Sequence, residues 1–185
     1  MAEYKVRAYP LFSACGLNCG LCPRYYTDGS SRCPGCGGEN FLETHCSCSI
    51  LPCCERRNIE YCFECDEFPC KKYDGADLSD SFITHKNQFK DLEKAKRIGM
   101  DEYAKDQSEK ISILKELLEH YNDGRRKSFY CVAVNLLELH DIKAAMVRIR
   151  DKSTADMSEK EKATLAVSIF NELASKRGIS TKLRK

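Results

Sequence analysis

The chain contains no tryptophan, and only five of its 185 residues are proline, the last of them Pro69. No run of eighteen apolar residues occurs, so no segment is suited to cross a bilayer as a helix. The opening MAEYKVRAYPLF has no unbroken apolar stretch behind a basic start, so no signal peptide is expected. Charge of one sign is not in excess. Thirty basic residues against twenty-eight acidic leave +2, which argues against a polyelectrolyte drawn to nucleic acid or membrane. There is no G-x-x-x-x-G-K-[ST] loop, no serine-centred nucleophile elbow and no H-E-x-x-H helix. The sharpest shortage is local: residues 15–70 hold only Leu17, Leu21, Leu42, Ile50, Leu51 and Ile59 as aliphatic or methionine side chains. Ordering the backbone costs about 1–2 kcal/mol per residue, and so few aliphatic groups cannot offset that over such a length. An ordinary hydrophobic core is excluded there.

That segment has cysteine instead. Twelve of the thirteen cysteines lie within it, and the thirteenth is Cys131. They run Cys15-x3-Cys19-x2-Cys22, Cys33-x2-Cys36, Cys46-x-Cys48, the neighbours Cys53 and Cys54, Cys62-x2-Cys65, and Cys70. A C-x2-C spacing lets a tight turn aim two sulfurs at one ion, and two such turns complete a tetrahedral zinc site. The glycine and proline of Cys33-Pro34-Gly35-Cys36 suit that turn, and its backbone N–H groups are free to bond thiolate sulfur. A disulfide framework would need an oxidising compartment, and thirteen thiols leave one over. We therefore expect a cytoplasmic protein with two to three Zn2+ per chain, each ion supplying about 10–16 kcal/mol of apparent binding free energy in place of the absent core. One grouping is Cys33, Cys36, Cys46 and Cys48; another is Cys53, Cys62, Cys65 and Cys70; a third is Cys15, Cys19 and Cys22 with Cys54 or a residue that the fold brings near. Interleaved pairing is equally compatible with the spacing, and His45 is expected to be a bystander.

The alternative is iron. Cys15-x3-Cys19-x2-Cys22 has the spacing with which radical S-adenosylmethionine enzymes hold a [4Fe–4S] cluster, and four thiolates suit an electron-carrying cluster as well as zinc. The strand–helix alternation of such enzymes is not legible here. The CPGC motif likewise lacks the βαβ setting of a thiol oxidoreductase.

After about residue 75 the texture becomes helical. Phe82, Phe89 and Leu92 follow one stripe up to Gly99; Ile111, Leu114, Leu118 and Tyr121 follow another, with Gly124 as a stop. Ser128 is expected to cap a third helix, burying Phe129, Val132, Ala133, Leu136, Leu137, His140, Ala144 and Val147. Ser158 and Glu161 form a capping box before a fourth, with Ala163, Val167, Phe170 and Ala174 inward and Gly178 as its stop. The tail KRGISTKLRK reads as frayed. Residues 1–70 carry net −3 and residues 71–185 net +5, so the two parts are expected to attract. The fold class is thus mostly α, with an irregular, metal-stapled N-terminal region (1–74) whose zinc knuckles pack on about four helices (75–185), an arrangement compatible with one integrated domain.

The stretches CGLNCGLCPRY (Cys15 to Tyr25), CPGC, CSCSILPC (Cys46 to Cys53) and NIEYCFECDEFPC (Asn58 to Cys70), with the later DGRRKSFYC (Asp123 to Cys131), resemble a prokaryotic family of cysteine-rich proteins classed as a domain of unknown function. The resemblance spans about residues 12–150 and implies a zinc-binding N-terminal region with a helical remainder; it brings no activity or substrate. Cys54 departs from the family pattern.

Three further features stand out. The run Asp123, Gly124, Arg125, Arg126, Lys127 reads as a solvated turn, with phosphate or an acidic partner as the functional alternative. Arg24, Tyr25, Tyr26 and Arg32 interleave aromatic and basic types as nucleic-acid-binding knuckles do, against the neutral charge of the whole. Cys131 is expected to be a buried apolar residue, and His120 and His140 are expected to be packed rather than catalytic; His85 has no visible partner. The functional expectation is a non-catalytic zinc-binding module that meets a protein partner rather than nucleic acid or membrane.

Overall fold

The computed structural model describes residues 7–45 and 48–185, and no strand occurs among them. The cysteine-rich part is built from short pieces. Single 3-10 turns lie at Cys19–Leu21, Gly29–Ser31, Cys62–Glu64 and Lys71–Tyr73, with helices α1 (Phe41–Thr44) and α2 (Leu51–Arg57) between them. The remainder is α3 (Gln88–Ile98), α4 (Met100–His120), α5 (Lys127–Leu136), α6 (Leu139–Lys152) and α7 (Glu159–Lys176). No helix is long and apolar enough to cross a membrane among the described residues.

Two apolar clusters hold the molecule. One lies among α4 to α7, around Leu114, Leu117, Tyr130, Ile142, Met146 and Phe170, and Leu21 from the cysteine-rich part inserts into it. The other packs Phe12, Tyr61, Tyr73, Leu92 and Tyr103 against the thiols of Cys33, Cys36, Cys54 and Cys62. Aromatic rings and sulfur therefore fill the space that the missing aliphatic side chains leave.

A buried polar knot joins the parts. Asn18, almost wholly buried, donates from Nδ2 to Asp91 Oδ2 on α3 (2.7 Å) and to Asn135 Oδ1 on α5 (3.1 Å). Its Oδ1 accepts from the Tyr103 hydroxyl on α4 (2.9 Å). Lys110, also buried, caps the end of α5 by donating to the carbonyls of Leu137 (2.7 Å) and Asn135 (3.4 Å). Gln88 Nε2 donates to the Cys15 carbonyl at 2.9 Å. At Gly16 the approach of α3 is so close that a Cβ would stand 2.6 Å from the Gln88 carbonyl oxygen, and φ is +92°. Leu92 Cγ would lie nearer still.

The helices depart from the sequence pattern at identifiable places. Phe82 lies outside α3 and is 55% exposed, with the Arg24 guanidinium 4.8 Å from its ring centroid. The Asp80 carboxylate accepts the His85 amide (2.8 Å), so the chain turns there and helix begins only at Gln88. The single helix expected from Ser128 to Val147 is two. Leu137 and Glu138 are extended, and the break rotates α6, so Ile142, Ala145, Met146 and Ile149 face inward while Ala144 and Val147 are exposed. The side chains of His120 and His140 lie outside, not packed. Residue 126, not Ser128, sits at the start of α5. The Ser158–Glu161 capping box opens α7 as the pattern indicates.

The tail is not frayed. Arg184 pairs with Asp80 (2.9 Å) and accepts the Asp80 amide on its carbonyl (3.1 Å), while Lys86 Nζ donates to the carbonyls of Ser180 (2.9 Å) and Lys182 (2.8 Å). Asp80 has no exposed side-chain surface. Burial pushes its carboxyl up, but the bonds from Arg184 and the amides of Arg184 and His85 outweigh this and hold it at about 2.

Two outcomes are expected. Gly16→Ala should lose about 2–4 kcal/mol in a denaturant melt, from the positive φ and the forced approach to α3. Burial raises the Asp91 carboxyl to about 6, against the lowering influence of Lys110, Asn18 and Tyr103. The folded state then holds its proton more tightly than the unfolded chain, so this contribution favours folding below about pH 4 and is lost as pH rises through 6, by about 3 kcal/mol. Melting temperatures of wild type minus Asp91→Asn, measured across pH 4–7, should fall along that course; a constant difference would contradict it.

Candidate metal centre

Each cysteine-bearing turn is shaped by a local device. The turn after Cys19 is closed by the Cys22 amide on the Cys19 carbonyl (3.1 Å), and the amides of Arg24 and Tyr25 bear on the Cys22 sulfur. Cys15 Sγ lies 3.0 Å from Ser13 Oγ, which also accepts the Leu17 amide at 2.7 Å. The Cys33–Cys36 turn carries Gly35 and Gly37, both at positive φ. The Leu51 amide donates to Cys48 Sγ at 3.5 Å. Pro52 in the first turn of α2 aligns Cys53 and Cys54 on that helix, and Asn58, left-handed at φ 52°, ends it. Glu64 then accepts the amides of Glu60 (3.2 Å) and Tyr61 (3.1 Å), closing the turn that presents Cys62. A cis Phe68–Pro69 bond precedes Cys70.

These devices bring Cys53, Cys54, Cys62, Cys65 and Cys70 around one cavity of about 70 Å3, walled otherwise by Ile50, Ile59, Phe68 and Tyr73. Cys54 Sγ and Cys62 Sγ are 3.7 Å apart. Two sulfurs each 2.3 Å from a tetrahedral ion stand about 3.8 Å apart, so this pair already has the edge length of such a site. Arg57 reaches over the rim, Nη1 to Cys65 Sγ at 3.2 Å and Nη2 to Glu67 at 2.8 Å. It places a positive charge where several thiolates would gather. Hydrogen bonding to Cys54 is the main influence that draws the Cys62 thiol down to about 7, while Cys54, the donor, is driven up.

Cys15, Cys19, Cys36 and Cys48 lie within electrostatic reach of one another, and that reach extends from Cys15 to Cys62 and from Cys19 to Cys22. The Cys36 amide bears on Cys19 and the Ala14 amide on Cys36. Burial raises the thiols of Cys15, Cys19 and Cys36, the last to about 12. Cys22, which acts on Cys19, is influenced by Cys33, and buried Cys131 by Cys22.

Of the groupings expected from sequence, the set of Cys53, Cys62, Cys65 and Cys70 shares one cavity, and Cys54 joins it rather than Cys15, Cys19 and Cys22. Cys33 and Cys36 are both buried in the same aromatic–thiol cluster. Cys46 lies outside the described residues. His45 stacks its ring on Phe41 with centroids 4.5 Å apart. All described cysteines are free thiols. Among the described residues no three His, Cys, Asp or Glu side chains stand close enough together to hold one ion. The donors thus fit zinc in kind and, at Cys54 and Cys62, in spacing, and occupancy would need further thiols to turn inward.

Sequence reasoning missed two groups that shape this region. Arg7, buried, donates to the carbonyls of Phe12 (2.9 Å), Cys36 (3.4 Å) and Glu60 (3.1 Å), and its guanidinium lies 4.6 Å from the Tyr61 ring centroid. Tyr73 packs in the thiol-bearing cluster and donates its hydroxyl to the Cys15 carbonyl (3.3 Å). Neither carries a spacing signal; only the fold brings them to the thiols.

Residues 11–75 match a family described as "Protein of unknown function (DUF3795)". The match takes in every turn described above and stops before α3, short of the span to residue 150 over which the motifs resemble a family. No curated protein and no solved structure matches the chain.

In reduced protein purified without a chelator, brief treatment with a limiting amount of mild oxidant should join Cys54 to Cys62 before any other pair, because only a small shift brings their sulfurs to bonding distance. Peptide mapping reads the linkage. Capture of Cys131 instead would contradict the arrangement.

Proposed function

We propose that this is a zinc-binding protein in which thiolates replace an aliphatic core, and that its ions are structural rather than catalytic. The observation that carries the reading is the five-cysteine cavity, with Cys54 and Cys62 at the separation a tetrahedral ion imposes. Zinc bound by Cys62 and three of Cys53, Cys54, Cys65 and Cys70 would clasp α2 to the segment ending at Cys70. A second ion would draw on Cys15, Cys19, Cys36 and Cys48, and a third on Cys22, Cys33 and two further donors, which keeps the content at two to three per chain. Free thiols throughout the described residues, with amides aimed at several sulfurs, support metal over disulfide. They agree with a reducing, cytoplasmic setting. The Arg57 guanidinium would offset part of the negative charge of a four-thiolate site. A module of this kind acts by holding a surface for another protein.

Elemental analysis with an ultraviolet–visible spectrum of anaerobically purified protein tests the metal. Colourless protein with two to three zinc per chain is expected; iron with absorbance near 400 nm would replace this reading by an iron–sulfur one. Cys62→Ser should lower the zinc content by about one, and Cys131→Ser should leave it unchanged. A chelator should abolish amide protection in residues 15–70, since each structural zinc contributes about 10 kcal/mol or more. Retention of that protection after metal removal would overturn the structural role.

A further inference from the structure

The fold brings together two stretches that the sequence marks separately, the aromatic–basic run Tyr25–Arg32 and the basic turn ending at Lys127. Together they line a groove of about 570 Å3, to which α4 contributes Lys115 and Leu118. The walls are held in place from within. Lys127 Nζ donates to the Tyr26 carbonyl (3.3 Å) and to Thr27 Oγ1 (3.4 Å), while the Tyr26 hydroxyl donates to the Gly20 carbonyl (2.7 Å). On the far side the Arg126 amide donates to Asn122 Oδ1 at 3.0 Å. The groove is thus a built feature that spans residues about a hundred apart in the chain, and its volume falls in the range of small-molecule sites.

Its chemistry is selective. Tyr25 and Tyr26 meet edge to face, with centroids 5.3 Å apart, and the Arg32 guanidinium stands 5.4 Å from the Tyr25 ring centroid. Planar π-surface and a delocalised cation therefore share one wall. Arg32, Lys115 and Lys127 face the groove, and none has a carboxylate within ion-pair distance among the described residues. Asp28 and Glu119 face it too, leaving an excess of one cation, to which the positive end of α5 adds. Arg24 is not part of it: its guanidinium is spent on Phe82 and the Ser31 carbonyl. A ligand with a flat ring and a doubly charged anionic group satisfies both features at once. A long polyanion is disfavoured, because the lining carries an excess of only one cation.

We propose that this groove binds a single nucleotide, its base against Tyr25 and Arg32 and its phosphate between Lys115 and Lys127. The site is distinct from the five-cysteine cavity, but its Tyr25–Arg32 wall adjoins Cys22 and Cys33, so it is tested with metal in place.

Titration calorimetry at low ionic strength, using zinc-replete protein and the four common nucleoside monophosphates, tests it. At least one should bind one-to-one, with the matching nucleoside and inorganic phosphate each at least tenfold weaker. Lys115→Ala should weaken binding about tenfold, Tyr25→Ala likewise, while Tyr25→Phe keeps it and Asp28→Asn strengthens it. Unchanged metal content and melting temperature verify folding; if Tyr25→Ala fails this check, Lys115→Gln and Arg32→Gln, both at exposed positions, carry the test. Absence of saturable binding for all four nucleotides overturns the proposal. So does binding indifferent to Lys115 and Tyr25, inorganic phosphate bound as tightly as the nucleotide, or a short RNA strand bound more tightly than any single nucleotide.

Discussion

Asn18 sits between Cys15 and Cys19 and carries the geometry of the whole molecule on one side-chain amide. Both of its polar atoms are used, toward Asp91, Asn135 and Tyr103 on three successive long helices. A buried amide that lost these partners would cost about 1–3 kcal/mol per unsatisfied group, so the knot tolerates little displacement. It fixes the height of the first cysteine turn above the bundle, and the close contact at Gly16 fixes its tilt. The remaining cysteine turns are placed relative to that one: the Cys62 amide bonds to the Ala14 carbonyl and the Cys36 carbonyl accepts from Arg7.

The consequence is a division of labour between two kinds of interior. Among α4 to α7 the stabilising surface is aliphatic and aromatic, as amphipathic helices provide. Around Phe12, Tyr61 and Tyr103 it is aromatic rings and sulfur. Thiols are small and pack well but bury little area each, so that second interior gains less from exclusion of water. Clasping sulfur by metal is the physical remedy open to such a region, whereas the bundle needs none.

Much of this was legible in the chain. The aliphatic shortage in residues 15–70, the turn-forming CPGC and the S-x-x-E box before α7 each express a local rule, and each corresponds to a described element. Local rules failed where a long-range partner intervened. The phase of α6 follows from the break at Leu137–Glu138, which lies beside the carbonyls that Lys110 caps from α4, and no periodicity contains that lysine's reach. Helix α3 starts late because Asp80 is engaged by His85 and by an arginine 104 residues away. Neighbour relations among the thiols were only half readable. The set ending at Cys70 is close in sequence and close in space, and Cys54 joins it because α2 carries it beside Cys53.

The clasp between Asp80 and Arg184 closes most of the chain into a ring. Everything from the end of the cysteine-rich part through α7 lies inside that loop, so α7 cannot peel from the bundle as a free end would. Dissolution of the bundle from its C-terminal side has to begin by exposing a carboxylate that is otherwise sealed from water. The irregular linker before α3 and the last residues of the chain therefore open together or not at all, as one cooperative unit.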